Sequence, residues 1–413
     1  MDKMKLTSTK YGLLLCCIFF CFCRSKPSQN ETTNLSDGTS GKDTLALTVM
    51  DKSLDSLYQT DIYNGFTATV VDSSGVVYNR GFGFADVAAQ KTYTPNTLIN
   101  IASVSKMFIG IALLQAVDRG LVRMDDPINN YLPFSVLHPH YPEIPITVRQ
   151  LATHTSAIVD TDIYLESCYV NTNDVPLKNG LERYTSYYKN PAKDWMPLAA
   201  YLQQVLDVDG VYYSKETFAK RVPGSSYEYS NIGAALCGLI VEQASKKPFH
   251  QFTKEHIFQP LGMESTSWLL KEVDKSLYSK LYYDEQELPY YTILSYPDGG
   301  LISSSTDLAK FLVELIQGYS GKGNILSEKG YTELYRSQLP ATAFPEKTDF
   351  NVGIFTEKEL PYHVIGHNGG DPGVNSMLYF NTTTKRGQIF ITNTDSNKEN
   401  AREVFWAIWK ALE

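Results

Sequence analysis

Hydrophobic and polar positions change their spacing twice along the chain. Residues 66–71 and 76–84 alternate and are rich in β-branched side chains, and the turn residues 72–75 between them predict a β-hairpin. Apolar positions then recur at helical spacing as far as about residue 320, and the period of two returns from residue 351. The strands predicted in this last part are residues 352–356, 362–366, 376–380 and 388–392.

Helices are predicted at both ends of the chain, at residues 44–60 and 398–412, and throughout its middle. The longer middle helices are residues 198–206, 232–244, 252–258 and 307–317. Strands near both termini with helices between them predict an α+β fold. We expect an antiparallel sheet built from both chain ends, flanked by helices, with a mainly helical region inserted at about residues 120–320. Residues 44–413 then form one domain.

One further helix carries a pattern that suits chemistry. Ser103 and Lys106 are three residues apart, so a helix places their side chains next to each other. Ser103 then lies in the first turn, where free N–H groups favour a developing negative charge, and a desolvated Lys106 has a lowered pKa and can accept the serine proton. Gly110 leaves room for close approach. The apolar stripe predicted to pack this helix inward is Met107, Phe108, Ile111, Leu114 and Val117.

The Ser-x-x-Lys pattern is weak by itself, and the chain contains a second copy. Ser186 and Lys189 stand among Tyr, Asn and Pro with no apolar period, which predicts a solvated loop. Only the Ser103 copy begins a long helix with a natural stop at Gly120. We therefore predict Ser103 as a nucleophile and Lys106 as its base.

Composition excludes several other functions. The 413 residues carry a formal net charge of −8 and show no basic stripe, so nucleic acid is not an expected partner. The histidines lack metal-ligand spacing, which argues against a zinc site, and the Gly-x-Ser-x-Gly pattern of another large hydrolase class is missing. We expect no metal and no cofactor.

The N-terminus is typical of an export signal. Lysines at positions 3, 5 and 10 precede an apolar run at residues 11–22, which is too short to span a bilayer comfortably. Residues 24–43 are polar and are predicted to form a disordered tether. This layout resembles a bacterial lipoprotein with a lipidated Cys23 and a membrane anchor, although Phe22 departs from the usual small residue; a cleaved signal and an uncleaved anchor remain alternatives. Either way we expect export to the periplasm or cell envelope.

Two cysteines lie in the body of the chain, Cys168 and Cys237. An exported protein permits a disulfide between them, but nothing in the sequence supports one, and the surroundings of Cys237 predict a helix core.

Further motifs follow in a fixed order. Tyr229-Ser230-Asn231 comes after the helical insert, behind Pro223-Gly224, and His367-Asn368-Gly369 lies on a late strand. In extended backbone Tyr229 and Asn231 point the same way, so Asn231 can orient Lys106 or a substrate amide. Together with Ser103 and Lys106, these motifs resemble the serine β-lactamases and penicillin-binding proteins, specifically the class C β-lactamase-like serine hydrolases. The resemblance covers roughly residues 50–410.

The resemblance implies roles for these residues. Tyr229 is expected to act as a co-base and later as proton donor to the leaving group. The N–H groups of Gly370 and Ser103 are expected to form the oxyanion hole, and the glycine-rich strand around Gly369 leaves room for substrate backbone.

His367 departs from the family pattern. True β-lactamases usually have Lys-Thr-Gly or Lys-Ser-Gly at this place, and this chain has neither. We expect His367 to contact the substrate with a charge that is partial near neutral pH, since an unperturbed histidine titrates near ~6.5. A titrating histidine is a weaker anchor for a carboxylate, which weakens the β-lactamase interpretation.

Other residues invite two interpretations. The tyrosine-rich segment at residues 160–221 either overhangs the cleft and selects the acyl group or packs into the core. His154 and Arg149 are predicted to brace a turn rather than to react.

The sequence thus predicts an exported serine hydrolase that forms an acyl-enzyme on an amide or ester, such as a D-amino-acid peptide of the cell wall. Three alternatives stay open: a true β-lactamase, a non-catalytic penicillin-recognising or wall-binding protein of the same fold, and a tethered interaction domain. The substrate and the oligomeric state are not predicted.

Overall fold

The computed structural model of the protein describes residues 41–172, 175–344 and 349–413. Its centre is an antiparallel sheet of eight strands. In spatial order the strands are Phe350–Val352, Glu357–Glu359, Val364–Asp371, Val374–Asn381, Gly387–Thr392, Gly65–Asp72, Gly75–Asp86 and Lys91–Thr92. Phe66 lies opposite Thr392, so both chain ends meet inside this sheet. The predicted α+β fold is confirmed.

Alternation along the strands gives the sheet a hydrophobic core on each face. Phe66 and Phe390 point to one side, where they pack with Leu54 of the first helix and Ile408 of the last. Val71 points to the other side and joins the larger core formed with the middle helices. The terminal helix therefore covers the sheet, as predicted.

The predicted helices lie within a few residues of observed ones, but the second Ser-x-x-Lys copy, predicted as a loop, begins in the short helix Thr185–Tyr188. The observed helices are Gly41–Tyr58, Ser105–Asp118, Val148–Ala152, Asp162–Cys168, Thr185–Tyr188, Leu198–Leu206, Asn231–Ser245, Phe249–Thr253, Gln259–Leu261, Ser305–Tyr319, Glu328–Tyr335 and Ala401–Ala411. The helix Ser105–Asp118, which we call the central helix, is buried on every side from Ser105 to Ala116. The predicted one-sided stripe is therefore wrong. Gly110 permits the burial, because a Cβ there would lie 2.7 Å from the Ile354 carbonyl oxygen.

Two late strands differ from the prediction. The strand predicted at residues 362–366 runs from Val364 to Asp371, since its glycines continue the ladder instead of ending it. The strand predicted at residues 352–356 is shorter and earlier, Phe350–Val352, and a turn with Phe355 at φ 50° follows it. The polar strand Glu357–Glu359 after that turn was not predicted.

The helical insert also contains short strands that the sequence did not indicate. Tyr169–Asn171 pairs with Tyr291–Ile293, and Leu281–Tyr283 pairs with both Gln286–Leu288 and Thr394–Asp395. These small sheets bring tyrosines from distant parts of the insert together near the end of the strand Val364–Asp371.

The predicted signal at residues 1–23 and the tether up to residue 40 lie outside the described residues, while the first helix already begins at Gly41. Within the described ranges, no helix has the length and apolar character needed to cross a bilayer. Cys168 and Cys237 are both buried and free.

Candidate active site

Ser103 lies in a short 3₁₀ turn, Ala102–Val104, that leads directly into the central helix at Ser105. Ala102 has φ 47°, a left-handed conformation that costs a non-glycine residue about 1–2 kcal/mol. The Ser376 hydroxyl holds the turn in place by donating a 2.7 Å hydrogen bond to the Ile101 carbonyl. Ser103 itself stays partly exposed. A strained turn thus presents the serine at the start of a buried helix.

Lys106 is fully buried and uses three acceptors. Its Nζ lies 3.0 Å from Ser103 Oγ, 2.7 Å from Asn231 Oδ1 and 2.6 Å from the Asp298 carbonyl oxygen. Burial lowers the pKa of Lys106, and the nearby carboxylates, Asp298 first, offset part of that shift. A lysine of this kind can hold or release a proton beside the serine hydroxyl.

Asp160, a residue not predicted from the sequence, orients the Asn231 side chain towards Lys106. Asp160 Oδ2 accepts hydrogen bonds from the backbone N–H and the side-chain amide of Asn231, at 2.9 and 2.8 Å. Asp160 Oδ1 accepts from the Ile232 N–H at 3.1 Å. This carboxylate therefore binds the first turn of the helix Asn231–Ser245 and fixes the amide so that its oxygen faces Lys106.

The Tyr229 hydroxyl is buried beside Ser103, whose side chain is close enough to lower the pKa of the phenol, and it has no other hydrogen-bond partner within the described residues. Its ring lies 4.9 Å from Lys106 Nζ, measured to the centroid. Burial raises the pKa of Tyr229 well above its usual value, so the phenol stays protonated at neutral pH. A raised pKa favours Tyr229 as a proton donor and disfavours its expected role as a co-base.

His154 supports Tyr229 from behind. The two rings stack with centroids 4.6 Å apart, and His154 Nδ1 accepts the Ser230 N–H at 3.1 Å. Burial lowers the pKa of His154 well below its usual value, which keeps the ring neutral. Arg149 braces the same region through salt bridges to Asp125 and Glu333. Both residues are therefore bracing residues in this structure.

His367 lies on the strand Val364–Asp371 and is almost fully buried, with its ring 6.1 Å from that of Tyr229. Its Nδ1 donates to the Asn368 carbonyl at 2.5 Å, which leaves Nε2 as an acceptor. Burial lowers the pKa of His367, although Glu357 partly counters the shift. Burial therefore disfavours the partial positive charge that we expected for His367 near neutral pH.

The two glycines after Asn368 differ in their surroundings. A Cβ on Gly369 would lie 2.8 Å from the Ser103 backbone nitrogen and 2.7 Å from the Ile101 carbonyl oxygen, so only glycine fits against the serine turn. Around Gly370, by contrast, a Cβ would reach only Asn375 Oδ1, at 3.7 Å. Gly369 therefore packs directly against the serine turn, whereas the space beside Gly370 is open.

The structure brings Ser103, Lys106, Tyr229, Asn231 and His367 together from three separate parts of the chain. The second Ser-x-x-Lys copy lies elsewhere, since Lys189 pairs with Glu166 on the surface. Sequence reasoning missed three carboxylates around Lys106, the buried Asp298 and the partly exposed Asp160 and Asp371. Single acidic residues of this kind carry no distinguishing pattern in the sequence.

A serine at the start of a buried helix, bonded to a desolvated lysine beside an antiparallel sheet of this topology, is the arrangement of a serine hydrolase of the Ser-Lys type. Residues 54–413 match the family model described as Beta-lactamase. The chain therefore belongs to the beta-lactamase family.

Similar proteins agree with this assignment. Protein flp of Staphylococcus aureus (strain MW2) is 22% identical over 356 residues, which cover 84% of this chain and 63% of flp. This chain thus spans less than two thirds of that relative. Two solved structures share the fold: the octameric penicillin-binding protein homologue from Pyrococcus abyssi (TM-score 0.69, 23% identity, 89% of this chain and 77% of that chain) and the D-amino acid amidase from Ochrobactrum anthropi SV3 (TM-score 0.63, 21% identity, 88% and 98%).

Proposed function

We propose that this protein hydrolyses an amide bond of a D-amino acid or D-amino-acid peptide through an acyl-enzyme at Ser103. The observation that carries the proposal is the 3.0 Å contact between Nζ of the fully buried Lys106 and Oγ of the partly exposed Ser103. The amidase of the same fold supports the substrate class, and a neutral His367 in place of a lysine argues against substrates held by a carboxylate, such as β-lactams.

The proton path follows from the positions of the groups. Neutral Lys106 takes the Ser103 proton as Oγ attacks the carbonyl carbon, and the N–H groups of Ser103 and Gly370 receive the oxyanion. Tyr229 gives its proton to the leaving nitrogen as the C–N bond breaks, and the Lys106 ammonium returns a proton to Tyr229. A water molecule then attacks the ester, with the released proton passing back to Ser103, so that the protein ends in its starting state.

The test begins with an active-site probe. A fluorophosphonate should add one adduct to the intact mass of the wild-type protein and of Ser186→Ala, which alters only the surface copy of the motif. Ser103→Ala should add none. Labelling that survives in Ser103→Ala would reject the nucleophile.

A substrate screen then separates the alternatives. We expect turnover of D-amino-acid amides and slower or no turnover of nitrocefin. Fast nitrocefin hydrolysis that is lost in Ser103→Ala would favour a true β-lactamase. A stable penicillin adduct with no turnover of any substrate would favour a non-catalytic penicillin-recognising protein.

Export completes the proposal and rests on the sequence of residues 1–23 alone. Expression of the full chain in a bacterial host should give a protein in the envelope fraction, with metabolic labelling by palmitate that is lost in Cys23→Ala. Envelope location without lipid labelling would support a cleaved signal or an uncleaved anchor instead.

A further inference from the structure

A carboxylate ends the strand that passes the serine. Asp371 lies two residues beyond Gly369, and its Oδ1 accepts a 2.5 Å hydrogen bond from the Tyr169 hydroxyl. Its Oδ2 faces Gly299, where a Cβ would lie 3.6 Å from this oxygen and 3.8 Å from the Ala102 carbonyl carbon. Asp371 is therefore a close neighbour of the serine turn, and both it and Ser103 keep part of their surface exposed.

Tyrosine rings surround this carboxylate. The ring of Tyr291 lies 5.4 Å from that of Tyr169 and 6.2 Å from that of Tyr188, measured between centroids. The pairing of Tyr169–Asn171 with Tyr291–Ile293 sets the first of these distances. The aromatic faces and one carboxylate thus converge on one place beside the serine.

Two of these tyrosines have unused hydrogen-bonding capacity. The Tyr188 hydroxyl is buried and has no hydrogen-bond partner among the described residues. The Tyr291 hydroxyl is also buried and lowers the pKa of Asp371 as a hydrogen-bond donor, so its oxygen can still accept a hydrogen bond. Both hydroxyls lie close enough to Asp371 to feel its charge. An unpaired buried polar group is unfavourable, so a ligand that supplies a partner relieves this cost.

We infer that Asp371, Tyr169, Tyr188 and Tyr291 form a subsite for the cationic amino group of the substrate. An ammonium group carries the charge that complements Asp371, binds to aromatic faces, and donates hydrogen bonds that phenol oxygens accept. Burial opposes the ionised form of Asp371 and raises its pKa to about 7, so a bound cation stabilises the carboxylate. The inference rests on the proposed function, because it assigns this subsite to the free amino group next to the scissile amide.

Binding is tested without any turnover. We compare the rise in melting temperature that benzylammonium and the neutral benzyl alcohol produce in the full-length protein at pH 8. Wild type should be stabilised by benzylammonium and hardly by benzyl alcohol. Asp371→Asn should weaken benzylammonium binding at least about 10-fold, which corresponds to about 1.4 kcal/mol.

The chain offers a matched control in Asp395, which also accepts from a tyrosine hydroxyl, that of Tyr184. Asp395→Asn should bind benzylammonium like wild type. Tyr291→Phe keeps the carboxylate and should weaken binding by a few fold, which tests the subsite even if Asp371→Asn does not fold. Equal stabilisation by the two ligands, or unchanged binding in both subsite variants, overturns the inference.

Turnover separates the inference from the proposed function. D-phenylalanine amide should be preferred over its N-acetyl derivative at least about 10-fold in kcat/KM, and Asp371→Asn should remove this preference. Equal rates for the two amides in wild type overturn the subsite. If neither amide is hydrolysed while benzylammonium still binds through Asp371, the proposed substrate fails and the cation subsite stands.

Discussion

The side-chain nitrogen of Lys106 and the hydroxyl oxygen of Ser103 lie 3.0 Å apart, one helical turn from each other, and only the serine has a surface that reaches solvent. A substrate can therefore approach the hydroxyl, while water has no access to the amine. Ser103 is thus accessible to the substrate, whereas Lys106, which accepts the serine proton, is not. The predictions about Lys106 rest on this difference.

Lys106→Met should lower the rate of fluorophosphonate labelling by about 10²–10⁴-fold, because it removes the group that takes the serine proton. Methionine also removes the cost of burying the amine, but it leaves without a donor Asn231 Oδ1 and the Asp298 carbonyl, two of the three acceptors of Lys106. We therefore expect the free energy of unfolding to change by less than about 2 kcal/mol. Labelling rates and thermal unfolding measure the two effects. Lys189→Met is the matched control and should label normally; near-normal labelling of Lys106→Met would contradict the mechanism.

Asp298→Asn should shift the pH profile of labelling to lower pH. Asp298 is the main carboxylate that raises the pKa of Lys106 against the effect of burial, so its loss leaves more neutral lysine at a given pH. Burial raises the pKa of Asp298 to about 6, and the two proteins should therefore differ above about pH 6 and converge below it. Asp307→Asn, a buried aspartate elsewhere, should leave the profile in place. A shift towards higher pH would show that Asp298 does not act through Lys106.

Asp160→Asn should lower both stability and labelling. The amide group cannot accept from all the donors that the carboxylate binds at Asn231 and Ile232, and a lost hydrogen bond to a charged group costs about 1.5–3 kcal/mol. The melting temperature should fall, and labelling should slow in the fraction that remains folded. Asp307→Asn should lose stability alone, so equal labelling rates in the two folded variants would limit Asp160 to a structural role.

The neutral state of His367 predicts a flat pH response between pH 7 and 8.5. The ratio of kcat/KM for a neutral ester to that for a carboxylate-bearing amide should stay constant in wild type over this range. His367→Lys should favour the carboxylate substrate by about 10-fold, or about 1.4 kcal/mol, whereas His367→Gln should not. Equal changes in both variants would mean that charge at this position does not select substrates.

Cation binding should depend on pH through Asp371. Benzylammonium stays protonated across pH 5.5–8.5, while the pKa of Asp371 lies at about 7. Asp298 raises that pKa, and Tyr169, Tyr291 and Lys106 lower it. The rise in melting temperature caused by benzylammonium should thus be largest at pH 8.5 and fall as the pH drops through about 7. Asp371→Asn should show no such step, and a flat wild-type response would exclude Asp371 as the titrating group.

The central sheet could be predicted from the sequence, because segments with alternating hydrophobic and polar residues occur near both chain ends and pair most readily with each other in one sheet. The sequence was also sufficient to bring Ser103 and Lys106 together, since three-residue spacing on a helix determines that contact. The strand that contains His367 was predicted to end too early, because glycines such as Gly369 and Gly370 are typical of strand ends. The structure explains Gly369 by the serine turn that packs against it.

The carboxylates could not be predicted. Asp160 and Asn231 are 71 residues apart in the sequence, and Asp371 and Tyr169 are 202 residues apart. A pattern of neighbouring residues cannot predict contacts of such long range. The lowered pKa of His367 could not be predicted either, because it depends on how completely the surrounding helices and strands exclude water from the ring. In the tyrosine-rich segment, Tyr164, Tyr201 and Tyr169 are all buried in the core, and the role of the segment in selecting the acyl group stays a prediction.

The contact between Gly369 and the turn at Ser103 joins positions separated by more than 260 residues. Closing a loop of this length costs on the order of 5 kcal/mol of chain entropy, and contacts of such long range form slowly. During synthesis the serine and lysine therefore leave the ribosome more than 260 residues before the strand that packs beside them. A partly synthesised chain that ends before this strand has the serine and lysine without the completed cleft, so we expect the site to form only after this strand has docked.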